Sequence, residues 1–347
     1  MTTFELEILP GLKPFVEAEL ARKMGPSVRM LPAAGDEPDA LRVEYEGSPR
    51  AFFDLRTPVA IYLLLHFDIP RPKALLGHQH FTRLTGQIDR VRGMHPSGAF
   101  HTFRFSAAGK DSAVFNRLKE ALADYTHMTN EPDDADLMLR VRPALSRPSG
   151  WEVLIRTTPR PLAARSWRVC DRPGALNATI AAAMIDLSDP QSDDRFFNPM
   201  CGSGTLLIER ALCSPAQVIG GCDIDPEALR CAQQNIAAAD LADQVEAFEM
   251  DATALDIPDR VFDVICADLP WGQLSGSHVS NADLYPAALA EFARVAAPGC
   301  RLVALTHEVT LFESVLERFA DHWHLRTVQM VYQGGLHPRI YLLERLP

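Results

Sequence analysis

The chain has 347 residues, 47% hydrophobic, 23% charged and 8% aromatic, the profile of a globular protein of two or three domains. Its longest apolar runs, Val59 to Leu65 and Leu302 to Leu305, are far short of the roughly 20 residues of a spanning helix, and MTTFELEILPG lacks a basic start followed by an apolar stretch, which argues against secretion and membrane insertion. The net charge of -11 would argue against nucleic acid if it were evenly spread, but residues 1–180 hold 24 Lys+Arg against 21 Asp+Glu and residues 181–347 hold 10 against 24.

In chain order, FELEIL reads as a strand, PGLKPFVEAELARKM as a helix with Phe15, Leu20 and Met24 on one face, and ALRVEYEG as an alternating strand. SPRAFFDLRTPVAIYLLLHFDI predicts a second helix followed by an apolar strand, which together make a small α+β domain over 1–70. IPRPKA marks a break, and a second domain over 71–160 follows: helix HFTRLTGQIDRV, strand AFHTFRFS, helix SAVFNRLKEALADY, strands DLMLRVRP and WEVLIRTT. In DLMLRVRP, Arg140 and Arg142 alternate with Leu139 and Val141, giving one apolar and one cationic face. Eight arginines between 140 and 172 face only Glu152 and Asp171. Such a run is either a solvated face or a grip on phosphate, and Arg140, Arg142, Arg156, Arg165 and Arg168 are the candidate RNA contacts. The Pro- and Arg-rich stretch 161–173 reads as a linker.

From Gly174 to the end, apolar strands alternate with helices: ALNATIAAAMIDL, DRFFNPM, TLLIERALC, VIGGCDID, PEALRCAQQNIAAA, VEAFEMD, FDVICADLP, LYPAALAEFARVA, RLVALT, LFESVLERFA, LRTVQMVY and RIYLLERL. This predicts a doubly wound, mainly parallel α/β sheet over 174–347, with its ligand at the carboxyl ends of the strands. The seven cysteines form no C-x-x-C pair and read as reduced, buried residues of a cytoplasmic protein, with no metal site.

The stretch Asn198-Pro199-Met200-Cys201-Gly202-Ser203-Gly204-Thr205 is a strand end, a glycine loop and a helix start, where the backbone can approach a ligand closely. A dinucleotide fingerprint would place a third glycine where Leu207 stands, so a nicotinamide or flavin is disfavoured. Asp223 ends the next strand, where a carboxylate can accept both ribose hydroxyls, with Ile224 beside it; Asp225 before Pro226 reads as a helix N-cap. Asp251 and Ala252 follow the third strand, where Asp251 is placed to hold an adenine amino group. The fourth strand ends in Asp268-Leu269-Pro270-Trp271-Gly272. A carboxylate and the Leu269 carbonyl can accept both N–H groups of an exocyclic amine, freeing its lone pair toward an electrophilic methyl, while Trp271 stacks on the base.

These two motifs resemble those of S-adenosylmethionine-dependent methyltransferases acting on exocyclic amino groups, with patterns [DN]-P-x-C-G-S-G-T and [DN]-[PL]-P-[YFW]. DLMLRVRP, WEVLIRTT and PLAARSWR are similar to the ferredoxin-like plus THUMP module of RNA-modifying enzymes. Together they resemble the THUMP-containing tRNA guanine-N2 methyltransferases. The resemblance implies a Rossmann-like methyltransferase domain over 174–347 behind a ferredoxin-like domain (1–70) and a THUMP domain (71–160). It implies S-adenosyl-L-methionine held by Asn177, Asn198, Met200, Cys201, Gly202, Gly204, Thr205, Asp223, Ile224, Asp251, Ala252 and Asp268. It further implies a catalytic turn at Asp268, Leu269, Pro270 and Trp271, and tRNA as partner, with position 6 favoured and position 10 next. Asn198 replaces the commoner aspartate, and Leu269 and Trp271 replace the commoner Pro and Tyr. Other substrates open to the motif are adenine N6 and a ribosomal guanine N2; a non-catalytic RNA-binding protein would be of another class. No obligate protein partner is evident. Gln273 to Asn281 reads as a lid or a plain solvent loop, and His307 and Glu308 as structural.

Overall fold

A computed structural model describes residues 1–32, 39–145, 147–272 and 278–347, and the chain divides into two compact units, Met1–Ile8 with Val16–Ala163, and Leu9–Phe15 with Ala164–Pro347. No helix among the described residues is long and apolar enough to cross a membrane.

The first unit holds β1 (Thr2–Glu7), most of α1 (Lys13–Met24), β2 (Val28–Met30), β3 (Ala40–Tyr45), β4 (Ala60–Phe67), α2 (His78–Arg92), β5 (Thr102–Ser106), α3 (Ala113–Thr126), β6 (Thr129–Asn130), β7 (Leu137–Pro143) and β8 (Trp151–Arg156). Its strands form one sheet in the order β2-β3-β1-β4-β8-β7-β5-β6. Register follows the apolar positions: Phe4 lies opposite both Val43 and Leu63, and Ile155 opposite both Leu63 and Leu139. Strands on either side of the Pro-marked break at 69–74 therefore share one sheet through the β4/β8 pairing.

The helix expected over SPRAFFDLRT is corrected to one 3-10 turn, Pro49–Phe52. The buried Glu19 carboxylate accepts the backbone N–H groups of Arg56 and Thr57 at 2.9 Å, and Pro58 disfavours helical conformation at Thr57. Burial would raise the Glu19 carboxyl, but Lys23 and the Thr57 hydrogen bonds hold it below its usual range. The short strands β2 and β6 had no signal in the sequence pattern.

The second unit holds α4 (Ala178–Leu187), β9 (Arg195–Asn198), α5 (Thr205–Cys213), β10 (Val218–Asp223), α6 (Pro226–Ala238), β11 (Glu246–Glu249), β12 (Phe262–Asp268), α7 (His278–Val295), β13 (Ala296–Thr306), α8 (Val309–Arg318), β14 (Trp323–Met330) and β15 (Arg339–Arg345). The sheet order is β11-β10-β9-β12-β13-β15-β14; β9 to β13 run parallel, and β15 is antiparallel to both its neighbours. The interior strand β12 is fully buried from Val264 to Ala267, which explains its unbroken apolar run, whereas the edge strand β14 is largely exposed. The chain goes from β9 to β10 on one side and later returns to β12 on the other. This is a switch point, and in open α/β sheets the crevice outside the carboxyl ends of the strands flanking it, here β9 and β12, is where ligands bind.

Candidate active site

Both motifs meet at that crevice. Asn198 ends β9 with its side chain buried; Nδ2 donates to the Cys266 carbonyl on β12 at 2.7 Å, and Oδ1 has no partner among the described residues. A carboxylate could not donate to that carbonyl, which gives the asparagine its physical reason. After it, Cys201 N–H donates to the Cys222 carbonyl at 2.8 Å, and Gly202 N–H to Asp223 Oδ2 at 2.8 Å. Gly202 (φ 52°) and Gly204 (φ 82°) have left-handed backbones; a Cβ on Gly204 would lie 3.2 Å from Ala232, while one on Gly202 would meet open space. The loop is thus packed on one side and bare on the other. Met200 packs on the core and Thr205 opens α5.

Asp223 ends β10, and its second oxygen accepts Asp225 N–H at 3.0 Å; Asp225 caps α6 through Glu227 N–H at 2.8 Å. Ile224 is exposed, whereas Ala252 is buried in the core. Asp251 is exposed, and its Oδ1 accepts Thr253 N–H and Oγ1–H. The Asn177 side chain caps α4 by accepting from Thr179 N–H at 2.9 Å.

Asp268 ends β12. Desolvation by burial pushes its carboxyl up to about 7, against the pull of the hydrogen bond that Trp271 Nε1 donates to Oδ1 at 3.2 Å. Leu269 N–H donates to the Leu305 carbonyl at 2.9 Å, and the Pro270 carbonyl accepts from Asn281 Nδ2 at 2.8 Å and Tyr285 Oη at 2.6 Å. The Trp271 ring is partly exposed and lies 6.1 Å from the His307 ring. Tyr285 escaped the sequence reading as a site residue, and Asn281 was read only as the end of a lid or solvent loop; both lie on α7, where their i, i+4 spacing was the available signal. Of the stretch expected as a lid or solvent loop, 273–277 lie outside the described residues and 278–281 are corrected to the first turn of α7.

The stretch expected as a linker is bound to the second unit. Arg165 pairs with buried Glu209 at 2.9 Å; Arg168 donates to the Leu176 carbonyl at 2.8 Å and to Thr205 Oγ1 at 3.0 Å; Arg172 pairs with Asp225. Asn235 on α6 accepts Val169 and Cys170 N–H groups and donates to the carbonyls of Cys170 and Ser203, tying this stretch to the glycine loop. The expectation of seven reduced, buried cysteines is corrected here: Cys170 and Cys231 form a disulfide across 61 residues, and Cys213 is exposed. Asn235 brings the two together, which no local spacing could show.

The five candidate RNA arginines also have other work. Arg140 pairs with Glu7 at 2.7 Å and lies 4.4 Å from the Tyr62 ring centre; Arg142 pairs with Glu5 and with Glu152. Arg156 is buried and donates to the carbonyls of Thr158, Ala135, Asp136 and Pro159. With Arg165 and Arg168 bonded as above, all five have partners within the fold; Arg156 is buried, whereas Arg140, Arg142 and Arg168 keep 29%, 20% and 17% of their side-chain surface exposed. Among the described residues no group of three or more His, Cys, Asp or Glu could hold a metal.

The RMKL-like methyltransferase domain of the UPF0020 family matches residues 165–339. The chain belongs to this methyltransferase family. Over 186 residues it is 34% identical to tRNA (guanine(6)-N(2))-methyltransferase THUMP3 of Mus musculus, covering 50% of this chain and 37% of that protein. It is 29% identical to tRNA (guanine(6)-N2)-methyltransferase of Methanocaldococcus jannaschii, over 52% of this chain and 56% of the other. These matches span only about a third to a little over half of the relatives' lengths. The fold of this RMKL-like methyltransferase is that of TrmN from Thermus thermophilus, with a TM-score of 0.74 at 23% identity and 100% of both chains covered.

Proposed function

We propose that the protein is an S-adenosylmethionine-dependent tRNA guanine-N2 methyltransferase, acting at position 6 as the names of its relatives suggest. The observation that carries the reading is Asp268: a carboxyl raised to about 7, at the switch-point crevice, bonded to the one aromatic ring of its turn. The bare side of the glycine loop and the unpartnered Asn198 Oδ1 suit a bound nucleoside carrying an amino-acid tail. Asn198 Oδ1, the Gly202 to Gly204 backbone and Asp223 would hold that cofactor, with Asp251 toward its base. When bound, it supplies an electrophilic methyl on a sulfonium. The protein's own task is positioning: Asp268 and the Leu269 carbonyl accept the amine's N–H groups, Trp271 offers its face to the purine, and the released proton passes to Asp268 or water.

The RNA would be gripped by the first unit, at a cavity of about 730 Å3 lined by Arg83, Arg90 and Arg147 with His66 and Gln87. Arg90 and Arg147 form no ion pair among the described residues. Burial and the neighbouring Arg147 hold His66 below its usual range, so the arginines carry the charge near neutral pH. A ferredoxin-like plus THUMP organisation fits this placement. The test is methyl transfer to tRNA followed by nucleoside mass spectrometry: N2-methylguanosine is expected, absent with Asp268→Ala. N6-methyladenosine, product in ribosomal RNA alone, or full transfer by the variant would each refute the reading.

A further inference from the structure

The Pro270 carbonyl is held from behind by a chain of hydrogen bonds. Glu308 N–H, at the N-cap of α8, donates to Thr306 Oγ1 at 2.9 Å; Thr306 Oγ1 lies 2.8 Å from Tyr285 Oη; and Tyr285 Oη lies 2.6 Å from the Pro270 oxygen. A backbone N–H only donates and a carbonyl only accepts, so the hydroxyl protons have one order: Thr306 donates to Tyr285, and Tyr285 to Pro270. Tyr285 and Thr306 are fully buried, so water does not compete and the bonds polarise one another in series. Asn281 Nδ2, one helical turn before Tyr285, donates to the same carbonyl, which fills both of its lone pairs. With Leu269 N–H held by Leu305, the Leu269 carbonyl receives no hydrogen bond from any described residue.

We propose that Asn281, Tyr285 and Thr306 are positioning residues for methyl transfer: by saturating the Pro270 carbonyl they fix the turn so that the Leu269 carbonyl and the Asp268 carboxylate together receive the exocyclic amine. This rests on the amine-methylating function proposed above. It assigns α7 and the end of β13 a task in the reaction although neither belongs to the two motifs.

The test is steady-state kinetics on the full chain with tRNA. Tyr285→Phe and Thr306→Val should each lower kcat about tenfold or more, since small misplacements of reacting groups are costly. KM for tRNA and cofactor affinity by calorimetry should stay within about twofold. Thr306→Ser keeps the hydroxyl and should restore kcat, and the double variant should be no worse than Tyr285→Phe alone, because both break one chain. Unchanged kcat, a loss carried by KM, or failure of the serine to rescue would overturn the proposal. If Thr306→Val does not fold, Tyr285→Phe, which removes a single oxygen, carries the same readouts. If the native chain methylates no nucleic acid, the functional reading fails, and the relay is read separately. The Trp271 indole N–H resonance, assigned with Trp271→Phe, should follow Asp268 titration near pH 7, and Tyr285→Phe should displace that transition. An unmoved transition refutes the relay itself.

Discussion

Asp268 is bound to β12 by sequence and made unusual by burial. Its carboxyl titrates at about 7 in the fold, against 3.8 for an ordinary aspartate. Between those values the folded state retains a proton that the unfolded chain has lost, so stability is greatest on the acid side and falls as pH rises through the window. Asp268→Asn removes this dependence. In thermal denaturation the variant should gain over the native chain by up to a few kcal/mol at pH 8 and little at pH 4. In the proposed mechanism the ionised form accepts the amine, so kcat of the native chain should climb through pH 7, and a flat profile between pH 6 and 8 would contradict the proposed role. The residue type and its turn were legible from D-L-P-W-G; the raised pKa was not, because desolvation depends on everything packed around the strand end.

Elements were read well where a local pattern caused them. The β/α alternation after Gly174 reappears strand for strand, and Gly221 shows why its composition is strict: a Cβ there would lie 2.8 Å from the Asn198 carbonyl and 3.0 Å from Leu207. Gly221→Ala should cost about 1–3 kcal/mol in urea denaturation by overpacking β10 against β9 and α5. Reading failed where a distant group intervened. The alternation of β7 was seen, but not that Glu5, Glu7 and Glu152 cover its cationic face. Burial would raise Glu152, yet Arg42 and Arg142 hold its carboxyl below the usual range. Glu152→Gln therefore leaves two guanidiniums short of a countercharge and should destabilise the first unit by about 3 kcal/mol, measurable as an earlier thermal transition.

At the scale of the whole molecule, residues 1–180 carry the positive balance and the remainder the acidity, which supports the proposal that RNA is held by one part of the chain and modified by another. In the proposed function, Arg90 and Arg147, which form no ion pair among the described residues, meet the RNA. Arg90→Ala and Arg147→Ala should each reduce the salt dependence of tRNA affinity by about one phosphate contact, a slope change of roughly 0.7–0.9 in a log–log plot. Arg156→Ala should leave the slope unchanged and lower the melting temperature instead, as its donors serve buried carbonyls. Equal slopes for all three variants would overturn this division.

The sequence by itself determined the parallel α/β half, the glycine loop at Asn198 to Thr205 and the Asp268 to Trp271 turn, because periodicity, glycine conformation and strand-end chemistry act over a few residues. Only the tertiary structure decided which arginines are spent on glutamates and carbonyls, that Cys170 meets Cys231, that Asp268 is desolvated, and that Tyr285 and Thr306 brace the Pro270 carbonyl. Each of these depends on groups brought together from far along the chain, where charge and hydrogen-bond pairing follow distance in space and leave no local pattern to read.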